Sequence, residues 1–146
     1  MKKIFAVFCL AGCLAMAVPS LAVVRTFGPD FSRFSLDVPD GWKAVPKNGG
    51  CQLISPDGNS SFSVHVQRSG GKSLAELTKD IKRRMGGRIL SEQNIDSDKS
   101  VIEAEVDGIR IKLFIMVEGD QFCAVTMAGS DEADMLRIMD TLNNAK

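Results

Sequence analysis

The fold is decided by Val101–Ala128, VIEAEVDGIRIKLFIMVEGDQFCAVTMA, which predicts three antiparallel strands joined by two tight turns. Asp107-Gly108 is a strong hairpin signal, because a type I′ turn needs positive φ at both central residues. With these two residues in the turn, Glu105 faces Arg110, and opposite charges across a ladder favour that register. We expect this meander to form the middle of a sheet.

The second turn of the meander is predicted at Gly119-Asp120, between strands that are apolar on both faces. One of these faces carries two cross-strand pairs, Phe114 with Val125 and Met116 with Cys123. A strand pair that is apolar on both faces has to be covered on both sides. The sheet therefore needs a covering layer on each face, at least near this hairpin.

The first 22 residues have the features of a secretory signal. Lys2 and Lys3 precede a short apolar run, Ile4–Val18, and a small-x-small cleavage site ends at Ala22. The apolar run is too short to be a convincing transmembrane helix. We expect residues 1–22 to be removed and residues 23–146 to form a single domain in the periplasm or outside a bacterial cell.

Two other processing routes stay open. Cleavage after Ala17 would leave five more residues on the mature chain. Leu10-Ala11-Gly12-Cys13 resembles the lipobox of bacterial lipoproteins, in which the cysteine is lipidated and becomes the N-terminus. The apolar stretch before Cys13 is very short, so a cleaved signal is the preferred interpretation and a lipid anchor is the alternative.

Charge and cysteine content bound the function further. The chain has 18 basic and 18 acidic residues, and removing the signal takes away two lysines and no acid. The mature domain is therefore slightly acidic, which gives no reason to expect nucleic acid or an anionic membrane as a general partner. Cys51 and Cys123 remain after export, and an isolated pair in an oxidising compartment predicts a disulfide. Two small buried hydrophobic residues are the alternative.

Outside the meander the hydrophobic period changes twice. Strands are predicted at Phe34–Val38, Cys51–Ser55, Phe62–Val66 and Arg88–Ile95, with a loose arm at Val23–Pro29 and a loop at Lys43–Gly50. A helix begins at Ser73 with Glu76 completing a capping box, and Gly86-Gly87 ends it. Its apolar stripe comprises Leu74, Leu77, Ile81 and Met85.

A last helix is predicted after Gly129, with Ser130 as its cap. Its expected apolar stripe comprises Met135, Leu136, Met139 and Leu142. The element order is then βββαββββα. This order predicts an α+β fold, with an antiparallel sheet of six or seven strands and two flanking helices.

Three motifs together resemble the PsbP-like superfamily, which includes small exported bacterial proteins of the DcrB type. They are FSLDVPDGW (Phe34–Trp42), LISPDGNSSFSVHV (Leu53–Val66) and SLAEL (Ser73–Leu77), followed by the meander and a terminal helix. The resemblance implies an antiparallel sheet flanked by helices in a PsbP-like sandwich. It also implies an accessory, binding or assembly role rather than catalysis, and it transfers no catalytic residues.

Few residues are candidates for chemistry. His65 is the single histidine, and a general base or metal ligand there would need partners that the sequence does not offer. There is no Gly-x-Ser-x-Gly elbow, phosphate-binding loop or metal-spaced cluster, so no catalytic residue, metal or cofactor is predicted. Trp42, His65, Lys79, Lys82 and Arg83 are retained as candidates for partner or ligand contact. The three basic residues share one helical face, whose simplest explanation is solvation.

The leading functional hypothesis is a non-enzymatic periplasmic accessory protein that presents a sheet face or a loop to another envelope protein. The loops considered are Lys43–Gly50 and Pro56–Asn59. A carrier of a small apolar ligand is the alternative, suggested by the doubly apolar strand pair and the methionines of the last helix. A hydrolase with an unrecognised site around His65 ranks last.

Overall fold

The computed structural model describes residues 22–145. The predicted signal peptide, its cleavage site and the lipobox at Cys13 lie outside the described residues, apart from Ala22. The described chain forms ten strands and two helices. The strands are β1 (Val23–Phe27), β2 (Phe34–Val38), β3 (Lys43–Lys47), β4 (Gly50–Ile54), β5 (Ser61–Arg68), β6 (Arg88–Asn94), β7 (Lys99–Val106), β8 (Ile109–Glu118), β9 (Gln121–Ala128) and β10 (Asn143–Asn144). The helices are α1 (Leu74–Met85) and α2 (Glu132–Asp140).

The large sheet has seven antiparallel strands in the order β3-β4-β5-β9-β8-β7-β6. The meander forms as predicted, with β9 at the centre of the sheet and β8 and β7 beside it. Asp107 and Gly108 have φ angles of 52° and 78°, and Glu105 lies opposite Arg110. The second hairpin also has the predicted register, with Met116 opposite Cys123. The turn residues and the cross-strand pairs therefore fix the register of β7, β8 and β9.

Three other strands form a second sheet in the order β1-β2-β10, with no strand hydrogen-bonded to the first sheet. The predicted loose arm at Val23–Pro29 is mostly β1, which pairs with β2 from Val23 to Phe27. The predicted loop at Lys43–Gly50 is also wrong, because Lys43–Lys47 forms the edge strand β3 against β4. Lysine and proline are uncommon in strands, so the sequence pattern did not indicate β3. An edge strand nevertheless tolerates proline, which has no backbone N–H group.

The main core lies between one face of the large sheet, the small sheet and α2. Phe34 and Leu36 of β2 are fully buried against this core, as are Leu53, Phe62 and Val64 of the large sheet. Helix α2 contributes Met135, Ile138 and Met139 to the same core. These elements build a sandwich, and the α+β class predicted from the sequence is confirmed.

Helix α1 covers part of the opposite face of the large sheet. The predicted capping box is present: the Glu76 N–H donates to Ser73 Oγ at 3.3 Å, and the Ser73 N–H donates to Glu76 Oε2 at 2.8 Å. The predicted stripe also packs as expected, against a small second core of Ile102, Leu113 and Ile115. Strand β8 is therefore covered on both sides, as its pattern requires, whereas β9 is covered on the α1 side only near Ala124.

Helix α2 differs from its prediction at two places. Its cap residue is Asp131 rather than Ser130, and the Asp131 N–H donates to Ser60 Oγ, which ties the start of the helix to the residue before β5. Leu136 is 37% exposed, whereas Ile138 is buried. The predicted stripe was thus wrong at one position, because Ile138 rather than Leu136 faces the main core. Neither helix within residues 22–145 is long and apolar enough to cross a membrane.

Candidate functional site

The α1 face of the large sheet is only half covered. Helix α1 lies on β7 and β8, and no other helix among the described residues covers β4, β5 and β9 on this face. We call this region the open face. Cross-strand register places on it Gln52, Ile54, Ser61, Ser63, His65, Thr126 and Ala128.

The open face carries no carboxylate or ammonium group on β4, β5 or β9. Each of its side chains is half-buried by its neighbours in the sheet. Lys43 and Lys47 on the edge strand β3 flank it on one side, and α1 flanks it on the other. A centre without charge and a charged rim are shared with protein interfaces, although the serines of this face are not an interface signature.

His65 lies within the open face, opposite Gly50 of β4 and Ala124 of β9. Its Nε2 contacts the side-chain nitrogen of Gln67. Burial lowers the pKa of His65, so its neutral form is favoured at pH 7. No carboxylate of the described chain orients or charges this imidazole through a hydrogen bond, so the geometry of a general base is not assembled here.

Gly49 precedes β4 and Gly50 is its first residue. The absence of side chains at these two positions lets this part of the chain lie close to His65. At Gly49, which has a φ angle of 82°, an added Cβ would lie 3.0 Å from the His65 ring and 2.9 Å from the carbonyl oxygen of Val66. At Gly50 an added Cβ would overlap the carbonyl oxygen of Val64. The close approach of this part of the chain to β5 therefore depends on these two glycines.

The two cysteines are free and buried, so the predicted Cys51–Cys123 disulfide is absent from the structure. Cys51 lies on β4 and Cys123 on β9, with β5 between them. Strands are spaced by about 4.8 Å, so the two Cα atoms are at least about 10 Å apart. A disulfide requires less than about 7 Å. The sequence could not show that a strand separates the two residues.

The thiols are also unsuited to nucleophilic chemistry. Burial raises the pKa of both Cys51 and Cys123 to about 12. Both side chains belong to the main core, whereas His65 is on the opposite face of the sheet. A Cys-His pair is therefore excluded by the register, and the two cysteines act as small buried hydrophobic residues, which was the alternative considered from the sequence.

The other sequence candidates lie away from the open face. Trp42 packs against the main core on the opposite side of the large sheet. Lys82 binds Glu92 at 2.5 Å, and Arg83 binds Asp80 at 2.5 Å. Lys79 is exposed, with no ion-pair partner among the described residues. The structure thus separates Trp42, His65 and the basic residues rather than bringing them together.

A cleft that the sequence did not predict lies on the main-core side of the sheet, at the start of α2. Lys112 lies between Glu132 and Glu103, at 2.5 and 3.4 Å. The hydrogen bond that the Lys112 ammonium donates to Glu132 raises the pKa of Lys112 above its ordinary value. The cleft encloses about 110 Å³, with Met127 and Met135 in its wall. This volume is well below the 300 Å³ and more of ordinary ligand pockets.

The apolar strand pair that suggested a ligand carrier is filled by protein. Phe114, Met116 and Val125 are buried in the main core with Met135 and Met139 of α2. This packing fills the space between the strand pair and α2 and counts against the carrier hypothesis. Among residues 22–145 there is also no group of three or more histidine, cysteine or acidic side chains arranged to hold a metal.

Comparison with known proteins identifies the fold. The chain matches no protein-family model and no curated protein. It is similar to the solution structure of cyanobacterial PsbP (CyanoP) from Synechocystis sp. PCC 6803, with a TM-score of 0.59 and 12% identity. That match covers 93% of this chain and 99% of the other.

A second structure, of a protein from Bacteroides thetaiotaomicron, gives a TM-score of 0.49 and 16% identity. The match covers 77% of this chain but only 45% of that one, so it adds no weight. The fold is therefore PsbP-like, which confirms that part of the resemblance. The narrower likeness to DcrB-type proteins has no support from these matches.

Proposed function

We propose that this protein is a non-enzymatic accessory protein of the bacterial periplasm that binds another envelope protein through the open face. The observation that carries the proposal is the half of the large sheet that no helix of the described chain covers, whose central side chains are uncharged and half-buried. The surface combines uncharged polar side chains with Ile54 and Ala128, and lysines of β3 lie at its rim.

Three further observations support a binding role over catalysis. Burial lowers the pKa of His65, which has no acidic hydrogen-bond partner within residues 22–145, and burial raises the pKa of both thiols; the described residues also hold no metal-like cluster. The PsbP-like fold is consistent with this proposal, but it does not fix a function by itself.

The proposed location rests on the sequence of residues 1–22. A basic start, an apolar run and the small-x-small motif ending at Ala22 favour export and cleavage. A lipid anchor at Cys13 would instead hold the domain at a membrane. The open face would still bind another envelope protein. The partner in either case is another protein of the envelope.

The test introduces one charge into the open face. Ser63 lies between Gln52 of β4 and Thr126 of β9, so Ser63→Glu places a carboxylate in the middle of the proposed interface. The matched control is Leu136→Glu, on an exposed position of α2 on the other side of the sheet. Both proteins are expressed at native level, purified gently from their own envelope and compared by quantitative mass spectrometry.

We expect proteins that co-purify with the unaltered chain and with Leu136→Glu to be lost from Ser63→Glu, while the melting temperatures of all three stay similar. Retention of every partner by a folded Ser63→Glu protein would exclude the open face as the interface. Loss of the co-purifying proteins from Leu136→Glu alone would show that the interface lies on α2. A turnover of any substrate that disappears in His65→Ala would contradict the non-enzymatic role.

A further inference from the structure

The turn between β3 and β4 contains Asn48 and Gly49, which form the single Asn-Gly pair of the chain. Lys47 lies opposite Gly50, so the loop of this hairpin consists of these two residues alone. Asn48 is exposed, and Gly49 has a φ angle of 82°. The pair therefore lies at the tip of an edge hairpin, beside the open face.

Two neighbouring groups in this turn are not held by hydrogen bonds. The side-chain amide of Asn48 makes no hydrogen bond within residues 22–145, and the backbone N–H of Gly49 donates none there. The carbonyl oxygen of Gly49 is bound, because it accepts a hydrogen bond of 2.9 Å from the Val66 N–H. Glycine also has no side chain that shields its backbone nitrogen. The Gly49 nitrogen can therefore approach the side-chain carbonyl carbon of Asn48.

Asn59, in the turn between β4 and β5, is the contrasting case. Its amide nitrogen donates to Asp57 Oδ2 at 3.2 Å. The N–H of the next residue, Ser60, donates to Ser55 Oγ at 3.0 Å. Both groups that correspond to the unbonded pair at Asn48 are thus engaged in hydrogen bonds, and the residue after Asn59 carries a side chain.

We propose that Asn48 is a site of spontaneous deamidation in the native protein, since asparagine is a thermolabile residue. The Gly49 nitrogen attacks Cγ of Asn48, and the new C–N bond closes a cyclic imide. The bond from Cγ to the amide nitrogen breaks, and that nitrogen leaves as ammonia with the proton of the Gly49 N–H. Water then opens the imide at one carbonyl to give aspartate, or at the other to give isoaspartate. Water is the one co-reactant.

The products change the rim of the open face. Each adds a carboxylate to a hairpin in which Lys43 and Lys47 supply positive charge. Isoaspartate also lengthens the backbone of the turn by a carbon atom. Space beside the turn is limited, since a Cβ added at Gly49 would lie 3.0 Å from the His65 ring. The reaction itself needs no partner, so this inference goes beyond the binding role proposed above.

The test is peptide mass spectrometry of the processed protein after incubation in mildly alkaline buffer at a physiological temperature. One sample stays native and a parallel sample is unfolded in urea. Asn59 is the internal control in both samples. The matched variant is Asn48→Gln, because the longer side chain would have to close a larger and less favourable ring.

We expect Asn48 to deamidate in the native protein as well as in urea, giving both aspartate and isoaspartate. The ratio of the rate at Asn48 to the rate at Asn59 should be about tenfold larger in the native protein than in urea, because the two hydrogen bonds at Asn59 exist only in the folded state. The Asn48→Gln protein should stay unmodified at this position.

Deamidation of Asn48 in urea but not in the native protein would overturn the proposal, because the folded turn would then block the reaction. A native rate at Asn48 no greater than the rate at Asn59 would overturn it as well. Neither outcome affects the test of the open face, since that test measures the co-purification of partners with Ser63→Glu.

Discussion

Gly50 shows how one residue controls the shape of the open face. It opens β4 directly opposite His65, and its backbone is too close to β5 to admit a side chain, because a Cβ would overlap the Val64 carbonyl oxygen. Nothing in the sequence distinguishes Gly50 from Gly49 or from an ordinary turn glycine. The requirement comes from the neighbouring strand, which is a tertiary contact.

We therefore predict that Gly50→Ala destabilises the fold by about 2 kcal/mol or more, as overpacking of a close contact does. The control is Gly58→Ala, at a position with a φ angle of 75° and open space around the missing side chain. In Gly58→Ala the free energy of unfolding should fall by about 1 kcal/mol, through backbone strain alone. Urea unfolding measures both. Equal losses at the two positions would show that β4 can shift away from β5.

The cysteines give a second prediction at this scale. Both thiols are buried and their pKa values are raised to about 12, so neither is a thiolate at neutral pH. In the native protein, iodoacetamide should modify neither Cys51 nor Cys123. After unfolding in urea without a reductant, it should modify both. If iodoacetamide modified them in urea only after a reductant was added, Cys51 and Cys123 would form a disulfide. That result would contradict the observed strand order.

At the scale of elements, the sequence predicted what is encoded locally. Helix α1 needed only its capping box, its apolar stripe and its terminal glycines, and the hairpin at Asp107-Gly108 needed only its turn and the paired charges. Strand β3 was missed because Lys43 and Pro46 are unusual in a strand. The start of α2 was misassigned because its cap depends on Ser60, which is 71 residues from Asp131 in sequence.

The cap of α1 has a testable pH dependence. Hydrogen bonds from the backbone and side chain of Ser73 lower the pKa of Glu76 below its ordinary value of 4.5. A carboxylate with a lowered folded-state pKa stabilises the fold above the unfolded-state value, and this contribution is lost as the pH falls through the folded-state value. The cap therefore acts fully above about pH 4.5.

We predict that Ser73→Ala lowers the free energy of unfolding by about 1 kcal/mol at pH 7. The difference from the unaltered protein should shrink at pH 3, where Glu76 becomes protonated. The control is Ser130→Ala, since Ser130 was expected to cap α2 but Asp131 is the cap residue. That variant should change stability little at either pH. A deficit for Ser73→Ala that is independent of pH would exclude a contribution from the carboxylate.

For the whole molecule, the class of fold followed from the order of elements, but the candidate site did not. The sequence indicated that the sheet needs a layer on each face. It could not show that α1 covers only β7 and β8, since the position of a helix on a sheet is set by tertiary packing. His65 was retained as a contact candidate, and the structure gives it uncharged neighbours from β4 and β9. Trp42 and the helix lysines lie elsewhere.

The distribution of apolar surface also belongs to this scale. The methionines of α2 suggested a ligand carrier, but they close the main core instead. The open face arises because α1 packs over β7 and β8 and leaves β4 and β5 without a helix on that side.

The central claim is that the open face binds a protein, and site-specific photo-crosslinking in the native host tests it most directly. A photoreactive residue would be placed at Ser63, within the open face, and separately at Leu136, on α2. The account predicts a discrete protein adduct from Ser63 that is absent from Leu136. An adduct of equal yield from both positions, or no adduct from Ser63 in a folded protein at native level, would contradict it.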